Sequence, residues 1–126
     1  FLHDDFQPLI QSRQLVQVDG EKELFPGFRV ITMSGHTTAL QCPLISDGQS
    51  TLLYCADLVP LHSHCQLPWI MGYDLRPLVT LEEKRKTLTR AAEERWVLFF
   101  EHDPAIAAGR VEWTGKGFRF GEQVDM

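Results

Sequence analysis

Thr51-Leu52-Leu53-Tyr54-Cys55-Ala56-Asp57-Leu58 is an almost continuous apolar run that closes on a carboxylate. Such a run suits a β-strand covered on both faces. A turn at Asp47-Gly48 leads into it, and a long irregular stretch leads out. Two other segments share the form. Phe28-Arg29-Val30-Ile31-Thr32-Met33 carries β-branched residues and runs into Ser34-Gly35-His36-Thr37. Trp96-Val97-Leu98-Phe99-Phe100 runs into Glu101-His102-Asp103-Pro104. Three predicted strands thus each end in a side chain able to hold a metal. Sites gather at such strand ends, where a rigid scaffold positions the loops.

Outward from these segments the punctuation is clear. Leu15-Val16-Gln17-Val18 followed by Asp19-Gly20 predicts a strand and a hairpin turn. Pro26-Gly27 marks the next turn. Leu40 to Ile45 reads as a strand in which Pro43 implies an edge or a bulge. Residues 58–79 form a long loop with Pro60, Pro68, Gly72 and Pro77, two histidines, Trp69, Met71 and Tyr73. Loops of this length in a compact domain are commonly functional. Thr80 and Glu83 form a capping-box pattern that opens a helix ending near Glu94 or Arg95. Leu81, Leu88, Ala91 and Ala92 give that helix its apolar stripe. Ala105 to Ala108 predicts a single helical turn. Val111–Thr114 and Phe118–Phe120, joined through Gly115-Lys116-Gly117, predict a terminal hairpin. The mixture of many strands and one strong helix predicts an α+β fold.

The chain has 126 residues, a net charge of −5 and 44% hydrophobic content. That supports one domain with a core. The acidic balance argues against nucleic acid, whose phosphates need a basic surface. No apolar run is long enough to span a membrane. Acidity and the lack of an export signal in the first residues point to the cytoplasm, although a signal could precede Phe1. The absence of an initiator Met implies a chain that begins inside a longer polypeptide or was processed. Cys42, Cys55 and Cys65 form an odd set without CxxC spacing and read as buried core thiols. Cys65, beside His62 and His64, is the one that could also serve as a thiolate ligand.

Taken singly, each candidate has an ordinary explanation. His36 and His102 could be hydrogen-bonded surface histidines, and Asp57 a turn former. Together, two imidazoles and a carboxylate suit zinc, iron, manganese or cobalt. A carboxylate has two oxygens, so Asp57 could bridge a pair of ions.

The order Ser-Gly-His36-Thr, two strands, Ala-Asp57-Leu and Phe-Phe-Glu-His102-Asp-Pro resembles the metallo-β-lactamase superfamily. It is most similar to the branch containing quorum-quenching lactonases and organophosphate hydrolases. Phe25-Pro26-Gly27-Phe28 and the stretch from Pro68-Trp69 through Tyr73-Asp74 to Pro77 add to the likeness, which runs from about Phe6 to about Gly109. The resemblance implies a four-layer αββα sandwich with a two-metal site between its sheets. His36 would hold one metal, His102 the other, and Asp57 would bridge both and act as the catalytic carboxylate. The family's His-x-His-x-Asp-His motif has no counterpart here; Phe1-Leu2-His3-Asp4-Asp5 does not match it. Residues 1–126 therefore correspond to the C-terminal part of one such domain, with the N-terminal half absent. After His36 the family commonly continues Thr-Pro-Gly-His, whereas this chain has Thr37-Thr38-Ala39-Leu40.

The resemblance further implies two divalent cations, zinc first, and water activated between them to open a lactone, an ester or a phosphotriester. A thioester hydrolase or an iron-dependent sulfur oxygenase of the same superfamily is the alternative, as is a metal-free half-domain with a structural role. Tyr73 and His64 would line the substrate pocket, Tyr73 as an oxyanion donor. Asp103 reads as a turn residue, and His62 and His3 as surface residues. A half-domain leaves one sheet face bare, so the expected partners are the missing N-terminal half or a second copy, besides a small-molecule substrate. The fragment alone is expected to be inactive and unstable as a monomer.

Overall fold

In the computed structural model, which describes residues 2–126, seven strands lie in one sheet in chain order. They are β1 (Lys22–Phe25), β2 (Phe28–Met33), β3 (Leu40–Ser46), β4 (Thr51–Tyr54), β5 (Val97–Phe99), β6 (Ala108–Trp113) and β7 (Phe118–Gln123). Every neighbouring pair is antiparallel except β4 and β5, which are parallel. A parallel pair needs a crossover. That crossover is the long loop followed by α2 (Pro77–Glu93). This is an α+β fold in which the chain supplies a sheet layer and a covering helix layer.

The topology decides where the candidate residues fall. With β3 antiparallel to both neighbours, β2 and β4 run the same way, and β5 runs with β4. The carboxyl ends of β2, β4 and β5 therefore share one edge of the sheet. Asp57 follows the middle strand of the three, two ladder spacings from β2 and one from β5.

Cross-strand registers sort the apolar residues onto two faces. Arg29, Leu44, Leu53, Leu98 and Gly109 form one row, with Ile31 opposite Cys42 beside it. This face packs under α2, whose Thr80, Lys84, Thr87, Leu88 and Ala91 are buried. Trp96 closes that core, its indole N–H donating to Glu94 at 3.0 Å. Phe28, Ile45, Leu52 and Val97 form the matching row on the opposite face. Tyr54 and Phe99 stack beside it, ring centroids 5.6 Å apart. No helix covers this row with buried side chains of its own: α1 (His3–Gln11) buries none. Among the described residues, no helix is long and apolar enough to cross a membrane.

Several sequence expectations change. Leu15–Val18 forms no strand, and Leu15 and Val16 are exposed. The first hairpin turns at Pro26-Gly27 instead, where Gly27 has φ +76° and a Cβ would lie 2.3 Å from the Ser46 carbonyl oxygen. Residues 3–11 are helical although Pro8 interrupts their hydrogen bonding. β3 is an interior strand. Pro43 is tolerated because β4 pairs only with residues 44–46, so the ladder has ended before it. α2 starts at Pro77, not Thr80, since proline suits a first helical position. The Thr80 hydroxyl turns to the Arg76 carbonyl. No helical turn forms at Ala105–Ala108; Ala108 opens β6.

Candidate metal centre

His36, Asp57 and His102 each stand three residues beyond a strand end, after Met33, Tyr54 and Phe99. The structure brings all three side chains together. The Asp57 carboxylate sits between the imidazoles: Oδ2 is 3.5 Å from His36 Nε2, and Oδ1 is 3.2 Å from His102 Nε2. Ala56, directly before Asp57, is buried with φ +45°. An L-residue held in that region costs about 1–2 kcal/mol. The bend turns the chain from β4 into a 3₁₀ turn at Ala56–Leu58 and aims Asp57 along the rim.

The loop carrying His36 is clamped by the start of α2. Both Glu83 oxygens accept backbone N–H groups, from Ser34 at 2.7 Å and Gly35 at 3.0 Å. Arg76 N–H donates to the Gly35 carbonyl at 2.9 Å, and Leu75 N–H to that of His36 at 3.1 Å. Gly35 is required there because a Cβ would come within 2.3 Å of the Thr80 nitrogen. Glu83 thus serves the loop, not the helix cap.

Behind His36 lies Asp74, whose Oδ1 is 2.9 Å from Nδ1 and whose side chain is 1% exposed. A carboxylate at that position accepts a hydrogen bond from Nδ1–H and so fixes the tautomer. Nε2 then presents a lone pair to Asp57. A lone pair facing a carboxylate oxygen is repulsive unless positive charge lies between them. His102 Nε2 also faces two carboxylates, Glu101 Oε1 at 3.2 Å besides Asp57. The Tyr54 hydroxyl donates to the other Glu101 oxygen. Ligand atoms of Asp57, Glu101 and His102 all lie within 4.8 Å of one another.

These spacings fit a cation. Zinc–ligand bonds of about 2.0–2.1 Å place two tetrahedral ligands about 3.3–3.4 Å apart. The 3.5 Å and 3.2 Å separations match that edge and exceed good hydrogen bonds to a carboxylate. His36, Asp57 and His102 could hold the metal, with Glu101 within reach on the His102 side.

Tyr73 packs its ring edge on His36, centroids 6.1 Å apart, and is 73% exposed. His64 turns inward: its Nδ1 is buried without a partner and its ring lies edge-on to Trp69. Among the described residues it has no hydrogen bond to His36, Asp57 or His102. Cys65 is fully buried and its thiol is pushed up to about 12, chiefly by burial, which disfavours a thiolate. His62 is not a free surface residue. Its backbone N–H and ring both bond Asp103, and the ring rests edge-on against Phe120. Asp103 keeps its turn role too, accepting from Ala105 and Ile106 at 3.0 Å. Sequence reasoning missed Asp74 and the role of Glu83. Asp74 offered one signal, a carboxylate next to Tyr73 in the chain's long loop.

A scan of protein-family models finds no match, and neither does a search of curated proteins. Solved structures do match. The dizinc quorum-quenching lactonase AidC, bound to a product homoserine, is 25% identical with a TM-score of 0.75 over 98% of this chain. AbOPH, a hydrolase of the beta-lactamase superfamily, is 20% identical with a TM-score of 0.79 over 98% of the chain. A probable metal-dependent hydrolase from Staphylococcus aureus is 20% identical with a TM-score of 0.77 over 90%. The sheet with its covering helix is thus one half of a hydrolase-type αββα sandwich. The chain is similar to the C-terminal half of metallo-β-lactamase-fold hydrolases. It spans 42–43% of the length of these three structures.

Proposed function

We propose that this chain is the C-terminal half of a metal-dependent hydrolase that opens a lactone, an ester or a phosphotriester. The observation that carries the proposal is the Asp57 carboxylate, flanked by two imidazole nitrogens at the spacing of ligands around one ion. Two divalent cations, zinc first, would lower the pKa of water and polarise the carbonyl or phosphoryl group. His36 and His102 would each hold a cation, with the Asp57 carboxylate between them. Asp74 holds the Nδ1 proton of His36 and keeps Nε2 turned to the rim. Tyr73, exposed and packed against the His36 ring, would donate its hydroxyl to a substrate oxygen. The likeness to AidC, a lactonase with its product bound, favours a lactone as the first substrate to try.

The rest of the domain, packed on the row Phe28-Ile45-Leu52-Val97, is the proposed partner. It would supply the remaining ligands and exclude water. The test is metal analysis of the complete protein, with Asp57→Ala beside it. We expect about two equivalents of zinc in the wild type and at most one in the variant. Two equivalents in both would remove Asp57 from the bridging role. No metal in the wild type, with no turnover of lactone, thioester or phosphotriester, would favour the structural reading.

A further inference from the structure

Carboxylates elsewhere on the surface are answered by arginine: Glu21 by Arg29, Glu82 by Arg85, Glu94 by Arg90, Glu112 by Arg119 and Glu122 by Arg110. The rim differs. Asp57 and Glu101 stand there together, and among the described residues neither is paired with a lysine or arginine. Like charges so placed repel each other. The group facing both is His102, whose Nε2 is 3.2 Å from Asp57 Oδ1 and 3.2 Å from Glu101 Oε1. A single ring N–H points along one line and serves one acceptor well. An ion set among Nε2, Oδ1 and Oε1 serves all three. One ligand atom from each residue lies within 4.8 Å of the others. Both 3.2 Å edges are close to the roughly 3.3–3.4 Å between tetrahedral zinc ligands.

Glu101 is also held in place. The Tyr54 hydroxyl donates to Oε2, which leaves Oε1 for the rim. Tyr54 is fixed in turn by stacking on Phe99, its partner in the parallel β4–β5 ladder. The Cys55 N–H closes that ladder on the Phe99 carbonyl at 3.0 Å. The two strands that place Asp57 and His102 thus place residue 101 as well. The His36 side has no counterpart, because its second carboxylate, Asp74, lies behind the ring at Nδ1.

We propose that Glu101 is a further metal ligand on the His102 side of the centre, presenting Oε1 to the ion while the Tyr54 hydroxyl holds Oε2. Glu101 can do this only where His102 and Asp57 hold a cation, so the role rests on the function proposed above.

In the complete protein, zinc affinity is measured by competition with a chromophoric chelator for wild type, Glu101→Gln and Tyr54→Phe. Cadmium-113 resonances are recorded on the same proteins after metal exchange. Coupling to the ring nitrogens of His36 and His102 assigns each resonance to its side. Glu101→Gln keeps the side-chain length and an oxygen for the Tyr54 hydroxyl but loses the charge. It should weaken one zinc by at least about tenfold, the least that loss of a group supporting a ligand costs. The cadmium resonance coupled to His102 should move, and the one coupled to His36 should stay. Tyr54→Phe should weaken and move the same ion by less. Without metal, Glu101→Gln should unfold no earlier than wild type, since Glu101 is exposed and its charge is repelled by Asp57. Two zinc ions held at wild-type affinity in Glu101→Gln would overturn the assignment and leave the centre standing. So would a loss shared equally by both ions, or a metal-free variant that unfolds earlier than wild type, either of which makes Glu101 a structural support. A wild type that binds no zinc overturns the centre and this role together.

Discussion

Beneath α2, Leu53, Leu98 and Cys42 are sealed at 0% exposure; on the opposite side of the same strands, Ile45 keeps 43% of its surface. Both rows are mostly apolar and run in register, the first across β2 to β6 and the second across β2 to β5. The difference lies only in what covers them. A strand such as Thr51–Tyr54 is written for two covered faces, and this chain carries a packed cover for one. The row left partly open at Ile45 is therefore consistent with half of a sandwich. The candidate centre sits on the rim where the two faces meet, so each face bears on it differently.

The largest effect should come from the covered face. Leu98→Ala in the complete protein should cost about 2–5 kcal/mol by chemical denaturation, the range for a buried leucine whose site cannot collapse. A cost below about 1 kcal/mol would break the comparison, because the α2 face would not then be the core. Ile45→Ala sharpens it from the other side. Left open to water, a partly exposed isoleucine is worth a few tenths of a kcal/mol, on the order of 0.5. Covered by the rest of the domain, its loss should cost about 2 kcal/mol. The size of this single difference says whether the proposed partner sits on that row.

Much of this arrangement was legible from local sequence. Phe28–Met33 reads as a strand because β-branched residues fill it, and the glycines around Lys116 set the last hairpin. The three rim residues stood out because each follows an apolar run. What escaped was held by distance along the chain. Asp74 meets His36 across 38 residues, and Glu83 meets Gly35 across 48. Glu83 looked like a cap because its local spacing from Thr80 fits one, and tertiary hydrogen bonds overrode it. Leu15–Val18 has strand composition but no neighbour to pair with, and a lone strand cannot satisfy its backbone.

A smaller effect should come from the link between the covered face and the rim. Glu83→Gln keeps the size of the side chain but can offer only one acceptor oxygen to two N–H groups. The His36 loop should loosen while α2 stays folded. Zinc affinity should fall about tenfold, the lower end for groups that orient ligands, with thermal unfolding little changed. An equal loss of stability and affinity would show that Glu83 supports the core and not the rim.

The smallest effect belongs to the β5 side of the rim, which Asp103 ties to His62. Burial alone would raise this carboxyl. Hydrogen bonds from the His62 backbone and ring, and from Ile106 and Ala105, outweigh it and hold the group well below the ordinary carboxylate range. A group depressed on folding adds stability that is complete above its unfolded pKa of about 3.9 and is lost as pH falls below it. Amide exchange at Ala105 and Ile106 should therefore quicken below about pH 4, while amides of Leu53 and Leu98 stay protected. Asp103→Asn should show fast exchange at those two amides at every pH. Uniform loss of protection across the sheet would mean that this tie belongs to the core, and that the rim is not a separable layer of the structure.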